Sequence, residues 1–128
     1  MKQQDAPAIA VALAHIDAWS NHEWDRAREM LAPNVRVMTM TAQPTVTSTD
    51  HTGIDQYMEG LLNFAQAVEP GSAHIIASVG DQHNALILVA VQVDFGHGEM
   101  TLQSARLYAL DESKKIKAEQ IVFSVLSA

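Results

Sequence analysis

The chain has 128 residues, 48% of them hydrophobic, enough for one domain with a buried core and too apolar for a disordered segment. A net charge of −7 and the absence of cysteine argue against a nucleic-acid partner, a disulfide scaffold and thiolate chemistry, and fit a reducing cytoplasm. No apolar run approaches the ~18–20 residues of a membrane helix, and Met1-Lys2-Gln3-Gln4-Asp5 does not lead into a signal-peptide core, so no membrane partner is expected.

In chain order, Pro7 suits the first turn of a helix. Ile9, Ala12, Leu13 and Ile16, with Trp19 or Ser20, recur at helical spacing, so one stripe of residues 7–19 faces a core. Ser20-Asn21-His22-Glu23 has the form of a capping box and predicts a second helix over 21–31, with Trp24, Ala27 and Leu31 inward and Pro33 closing it. Val35-Arg36-Val37-Met38-Thr39-Met40 reads as a strand. The polar, Pro-bearing stretch 43–49 suits an edge strand or a loop. Thr52 is placed to cap a third helix. Ile54, Met58, Leu61 and Ala65 share one face of it, Tyr57, Leu61, Phe64 and Val68 the adjoining stripe, and Glu69-Pro70-Gly71 ends it.

Four strands follow, at roughly 72–79, 84–95, 99–110 and 115–125. Gly80-Asp81 with Asn84, then Gly96-His97-Gly98, then Asp111-Glu112-Ser113 carry hairpin chemistry, so the four make a meander. Lys114, Lys115 and Lys117 read as a solvated cluster at the last turn. Three helices ahead of such a sheet can bury their apolar faces only by lying across one side of it. The predicted architecture is α+β: a curved mixed or antiparallel sheet, shaped as a cone, with three N-terminal helices on its concave face. The strand over 84–95 lacks polar alternation: Leu86, Leu88, Ala90, Gln92 and Asp94 point one way, and Ile87, Val89, Val91, Val93 and Phe95 the other. Both faces should therefore be covered. A homodimer through the outer sheet face, with Val89, Val91 and Val93 at the interface, is the economical cover.

The order helix, helix, strand, edge strand, helix, four strands resembles the nuclear transport factor 2-like superfamily and its SnoaL-like domains, with residues 1–128 as a single such domain. His15-Ile16-Asp17-Ala18-Trp19-Ser20-Asn21 leading to Trp24, Leu31-Ala32-Pro33-Asn34-Val35, His51-Thr52-Gly53 and Tyr108-Ala109-Leu110-Asp111 carry the likeness. The group includes polyketide cyclases, ketosteroid isomerases, limonene epoxide hydrolases and scytalone dehydratases. Ketosteroid isomerases place a carboxylate base late in the first strand, a tyrosine on the first helix and a neutral aspartic acid on the penultimate strand. The corresponding positions here are Thr39, His15 and Arg106, so steroid isomerisation is not expected. Epoxide hydrolases of the group use Arg-x-Asp on the central strand and a second Asp on the last strand. Gln92-Val93-Asp94 keeps one carboxylate and the last strand offers Ile121. A lone carboxylate cannot both activate water and protonate the epoxide oxygen. No histidine pair of the dehydratase kind maps onto the chain.

What the resemblance implies is a pocket with sparse polar groups. His15, Asp94 and Arg106 are the expected catalytic residues. His15 and Arg106 would form a cationic pair facing an enolate or anionic oxygen, and Asp94 would serve as base or neutralise Arg106. Trp19, Thr39, Tyr57, Gln92, Ser104 and Tyr108 are expected to contact the ligand. Each has a plainer reading: His15 and the tryptophans as core, Asp94 as a solvated strand end, Arg106 as half of a structural ion pair, for which burial would require a partner. His51 stands ahead of a helix N-terminus, where a cation gains nothing. The six histidines show no paired ligand spacing, so no metal and no cofactor is expected, and Gly96-His97-Gly98 is followed by no helix that would make it a nucleotide loop. The expected partner is a small apolar, oxygenated molecule acted on by an isomerase, cyclase or hydrolase. The alternatives are a non-catalytic binding or interaction module on the same fold, and a domain whose pocket has filled.

Overall fold

The computed structural model describes residues 6–41 and 47–126. Helix α1 spans Pro7–Ser20, α2 Trp24–Glu29 and α3 Ile54–Ala65. The strands are β1 Leu31–Thr41, β2 Thr47–Thr52, β3 His74–Gly80, β4 Asn84–Asp94, β5 Glu99–Leu110 and β6 Ile116–Leu126. They form one curved, open sheet in the order β2-β1-β6-β5-β4-β3, antiparallel throughout except for the parallel β1–β6 pair.

The hairpins of the meander share a device. Asp81 accepts the His83 and Asn84 amides, Asp94 accepts the Gly96 amide, and Asp111 accepts the Ser113 and Lys115 amides, all at 2.8–3.0 Å. An aspartate bonding its own backbone two residues on sets each turn.

Two expected caps do not form. Helix α2 is shorter than 21–31: its N-cap is Glu23 without a side-chain bond, and His22 adopts a positive φ of 62° in the turn before it. Ser20 instead stays buried in the last turn of α1, its hydroxyl donating to the Asp17 carbonyl at 3.4 Å. Leu31 and Pro33 belong to β1, where the register shifts between Leu31 and Arg36 and so accommodates the proline. Thr52 ends β2 and does not cap α3. Gly53, at φ 101°, makes the turn, and Gln56 reaches back to accept the Thr52 amide at 3.3 Å. Of the stretch 43–49, residues 43–46 lie outside the described residues, and Thr47 onward is the edge strand β2.

The helices cover the sheet face that carries Ala85, Ile87, Val89, Val91 and Val93, all buried within the single chain. Ala8, Ile9, Ala12 and Ile16 of α1 complete this part of the core. The expected interface row is therefore wrong in parity. Val89, Val91 and Val93 are covered by the chain's own helices, and the opposite face, with Leu86, Leu88, Ala90 and Gln92, looks outward. Because side chains alternate, one error of face moves every residue of the strand.

Candidate functional site: a cavity floored by Arg106

Strand register decides which side chains share the concave face. Ile87 pairs with Arg106 and Val89 with Ser104, while Arg106 in turn pairs with Ile121 and Tyr108 with Glu119. Across the parallel pair, Glu119 meets Val37 and Ile121 meets Thr39, and β2 adds His51 opposite Val37 and Thr49 opposite Thr39. These residues lie on the inner face of β2, β1, β6 and β5, and α3 runs above them.

Between α3 and that part of the sheet is a cavity of about 270 Å³. Its walls are apolar: Val37 and Ile121 from the sheet, Leu61 and Phe64 from α3, Phe123 from β6. Arg106 and Tyr57 are the buried polar residues among its lining, and the more exposed Thr39, Thr49, His51 and Gln56 stand toward its mouth. The Thr39 and Thr49 hydroxyls hydrogen-bond one another across the β1–β2 pair.

Arg106 is the central group. Its side chain is 1% exposed and forms an ion pair with the equally buried Glu119, Nη1 to Oε2 at 3.1 Å. Nε donates to the Ser104 hydroxyl at 2.9 Å. The guanidinium carbon lies 4.6 Å from the Trp19 ring centroid, with Phe64 and Phe123 at 5.7 and 5.6 Å, so aromatic faces stabilise the cation further. The Tyr57 hydroxyl donates to the other oxygen of Glu119. Burial pulls the Arg106 pKa down, but the Glu119 carboxylate, together with Tyr108 and Tyr57, more than offsets that and holds it above its ordinary value. Burial, reinforced by the negative charge of Glu119, drives Tyr57 well above the usual phenol range and keeps it a donor. One atom of the fork, Nη2, has no hydrogen-bond partner among the described residues.

His15 lies behind this pair, not in the cavity wall. Its ring meets Tyr57 and Tyr108 edge-on, centroids 5.9 and 6.2 Å away, and neither nitrogen has a partner within hydrogen-bond geometry among the described residues. Burial lowers its pKa to about 4 against the opposing pull of Glu119, with Arg106 adding to the lowering. The ring is neutral at pH 7, so the expected pair of cations reduces to one, Arg106. Tyr108 is likewise fully buried, pushed well above 10 by desolvation and Glu119, and lines no part of the cavity.

Of the nine residues expected in the site, Thr39, Tyr57 and Arg106 line the cavity. Trp19 and Ser104 support Arg106 from beneath, and His15 and Tyr108 form the layer behind. Asp94 and Gln92 are not brought to it. Asp94 is exposed at the end of β4, where it holds the turn. Gln92 points to the outer face and donates to Thr101 at 2.8 Å. The partner Arg106 requires is Glu119, not Asp94. Its signal was present in the sequence: Glu119 alternates with Ile121 and Phe123, a carboxylate in the apolar row of a strand. His51 was set aside as a residue before a helix, yet it stands in β2 on the cavity wall. Among the described residues, no group of three or more His, Cys, Asp or Glu side chains is arranged to hold a metal ion.

Comparison with known proteins agrees with this architecture. An uncharacterised bacterial protein with a cystatin-like fold from Silicibacter pomeroyi DSS-3 is 20% identical, with a TM-score of 0.71 over 95% of this chain and 77% of that one. An LEH-like epoxide hydrolase of M. tuberculosis is 16% identical, TM-score 0.70, over 92% and 83%. A protein described as a SnoaL-like polyketide cyclase from Shewanella denitrificans OS-217 is 10% identical, TM-score 0.70, over 91% and 90%. Identities this low establish the fold alone. No curated protein matches the sequence. The SnoaL-like domain family matches residues 12–119, and the chain belongs to that family.

Proposed function

We propose that this protein binds one small, mostly apolar molecule through a carbonyl, epoxide or hydroxyl oxygen, with Arg106 as the donor. The observation that carries this reading is a buried guanidinium that lines an apolar cavity and keeps one nitrogen, Nη2, without a hydrogen-bond partner among the described residues. A small pocket lined by apolar side chains with few convergent polar groups is the usual form of a small-ligand site. Because Glu119 balances the charge of Arg106, a neutral oxygenated ligand suits the site better than a strong anion. Polarising one oxygen is the step shared by the isomerase, cyclase and hydrolase chemistries considered above, and His51 is the base nearest to hand at the mouth. A second reading, binding without turnover, has its own support. Among the described residues no carboxylate lines the cavity, and the two oxygens of Glu119 are taken by Tyr57 and Arg106.

Calorimetric binding of acetophenone against ethylbenzene tests the role of Arg106. A hydrogen bond to a charged donor predicts a preference for the ketone of about tenfold or more. Leu61→Trp, which fills the cavity, should abolish binding of both. Equal affinity for the two compounds, or no compound of an epoxide, ketone and lactone panel bound at all, removes the proposal. Mass spectrometry of the panel after incubation separates turnover from binding.

The outer sheet face supports a homodimer. Leu86, Leu107, Val122 and Met40 are exposed there, and cross-strand pairing sets Leu86 beside Leu107 and Val122 beside Met40. The outward positions 86, 88, 90 and 92 of β4 and 101, 103, 105 and 107 of β5 carry no charge, in a chain with 18% charged residues. A second copy of the same uncharged face is the complementary partner.

A further inference from the structure

The cavity shares His51, Gln56 and Gly60 with an adjoining outer hollow of about 300 Å³, to which Glu59 and Asn63 also contribute. Gly60 lies within α3, where a glycine weakens a helix relative to alanine. Packing does not account for it, because a Cβ built at Gly60 meets no atom within 4 Å. Gly60 therefore leaves open space where it borders both chambers. The chambers differ in chemistry. The inner one is apolar with Arg106 on its floor, whereas the outer one offers the Gln56 and Asn63 amides and the Glu59 carboxylate.

We infer that cavity and hollow form one two-chambered site joined at Gly60, which takes a ligand with an apolar, oxygen-bearing body and a polar arm carrying a hydroxyl or ammonium donor. The inference rests on the binding role proposed for the inner cavity and extends it to the shape of the ligand. The body contacts Leu61 and Phe64, and the arm leaves over Gly60 along one side of α3 toward Glu59. The carboxylate of Glu59 accepts only, so an arm that reaches it donates. Gly60 thereby sets specificity: any side chain there narrows the passage and selects compact ligands.

The test measures binding of acetophenone and its para-(4-hydroxybutoxy) and para-(4-aminobutoxy) derivatives to the full chain by calorimetry. The wild type should bind the armed compounds about tenfold or more tighter than acetophenone, and in Gly60→Leu that ratio should fall below about threefold. Gly60→Leu should also melt no lower than the wild type, since it replaces a helical glycine. Glu59→Gln decides the outer chamber independently of any folding defect at Gly60: it should cost the amino-armed compound more than the hydroxy-armed one. If acetophenone binds while the arms add nothing, or if Gly60→Leu leaves the ratio unchanged, the two-chambered site is wrong and the inner pocket stands. If none of the three compounds binds the wild type, the pocket reading fails with it.

Discussion

Helices α1 and α3 lie on the same face of the same sheet and leave opposite results beneath them. Under α1 the space is filled: Ala8 and Ala12, both fully buried, let the helix approach β4 closely, and Ile9 and Ile16 close the gaps. Under α3 the lining side chains are Tyr57, Leu61 and Phe64, and a hollow remains against β1, β2 and β6. Interhelical and helix–sheet distances follow the size of the side chains at the contact. Small residues bring one helix down, and large ones hold the other off. The filled end is ordinary apolar packing, while the hollow end carries the buried ion pair. The closest apolar packing lies in the first and the proposed ligand chemistry in the second, with Trp19 and His15 of α1 joining them.

That contrast can be broken most severely at the ion pair. Glu119→Ala leaves Arg106 as an uncompensated buried charge and should cost about 3–5 kcal/mol in denaturant unfolding. The double variant Glu119→Leu with Arg106→Met should recover most of that loss; a double variant as unstable as the single one would mean the pair itself holds the fold.

Next in size is a pH effect seated at the junction of the two ends. The unfolded chain takes up a proton at His15 near 6.5, whereas the folded chain does so only at about 4. The stabilising contribution of neutral His15 is therefore complete above pH 6.5 and is lost as the pH falls toward 4, a change of about 3 kcal/mol. Urea midpoints measured across that range should fall in the wild type and flatten in His15→Phe. A parallel slope in both proteins would assign the effect to another group.

Tyr57→Phe removes one donor from Glu119 while leaving Arg106 in place, and should cost about 1.5–3 kcal/mol, as for a hydrogen bond to a charged group. The smallest change in fold stability is expected on the outer face. Leu107→Glu should alter monomer stability by less than about 0.5 kcal/mol yet convert the dimer to a monomer in sedimentation velocity. A wild type that sediments as a monomer at micromolar concentration ends the dimer proposal.

Much of this molecule was legible from residue order. Strand ranges of the meander agree with expectation to within a residue or two, because period-2 apolar content and Asp- and Gly-bearing turns are local signals. The family resemblance carried over for the same reason. The caps were misread at Ser20 and Thr52. In each case the motif was present but the chain turned through a positive φ, at His22 or Gly53, before the helix began.

The sequence by itself determined the order of the elements and the turns that join the strands, both properties of residues close along the chain. Only the tertiary structure decided which parity of each strand meets the helices, and so sent Asp94 and Gln92 outward while it gathered Thr39, Tyr57, Arg106 and Glu119 inward. Alternation defines two faces but does not label them. The label comes from where α1 and α3 come to rest, and that depends on contacts between residues far apart in the chain.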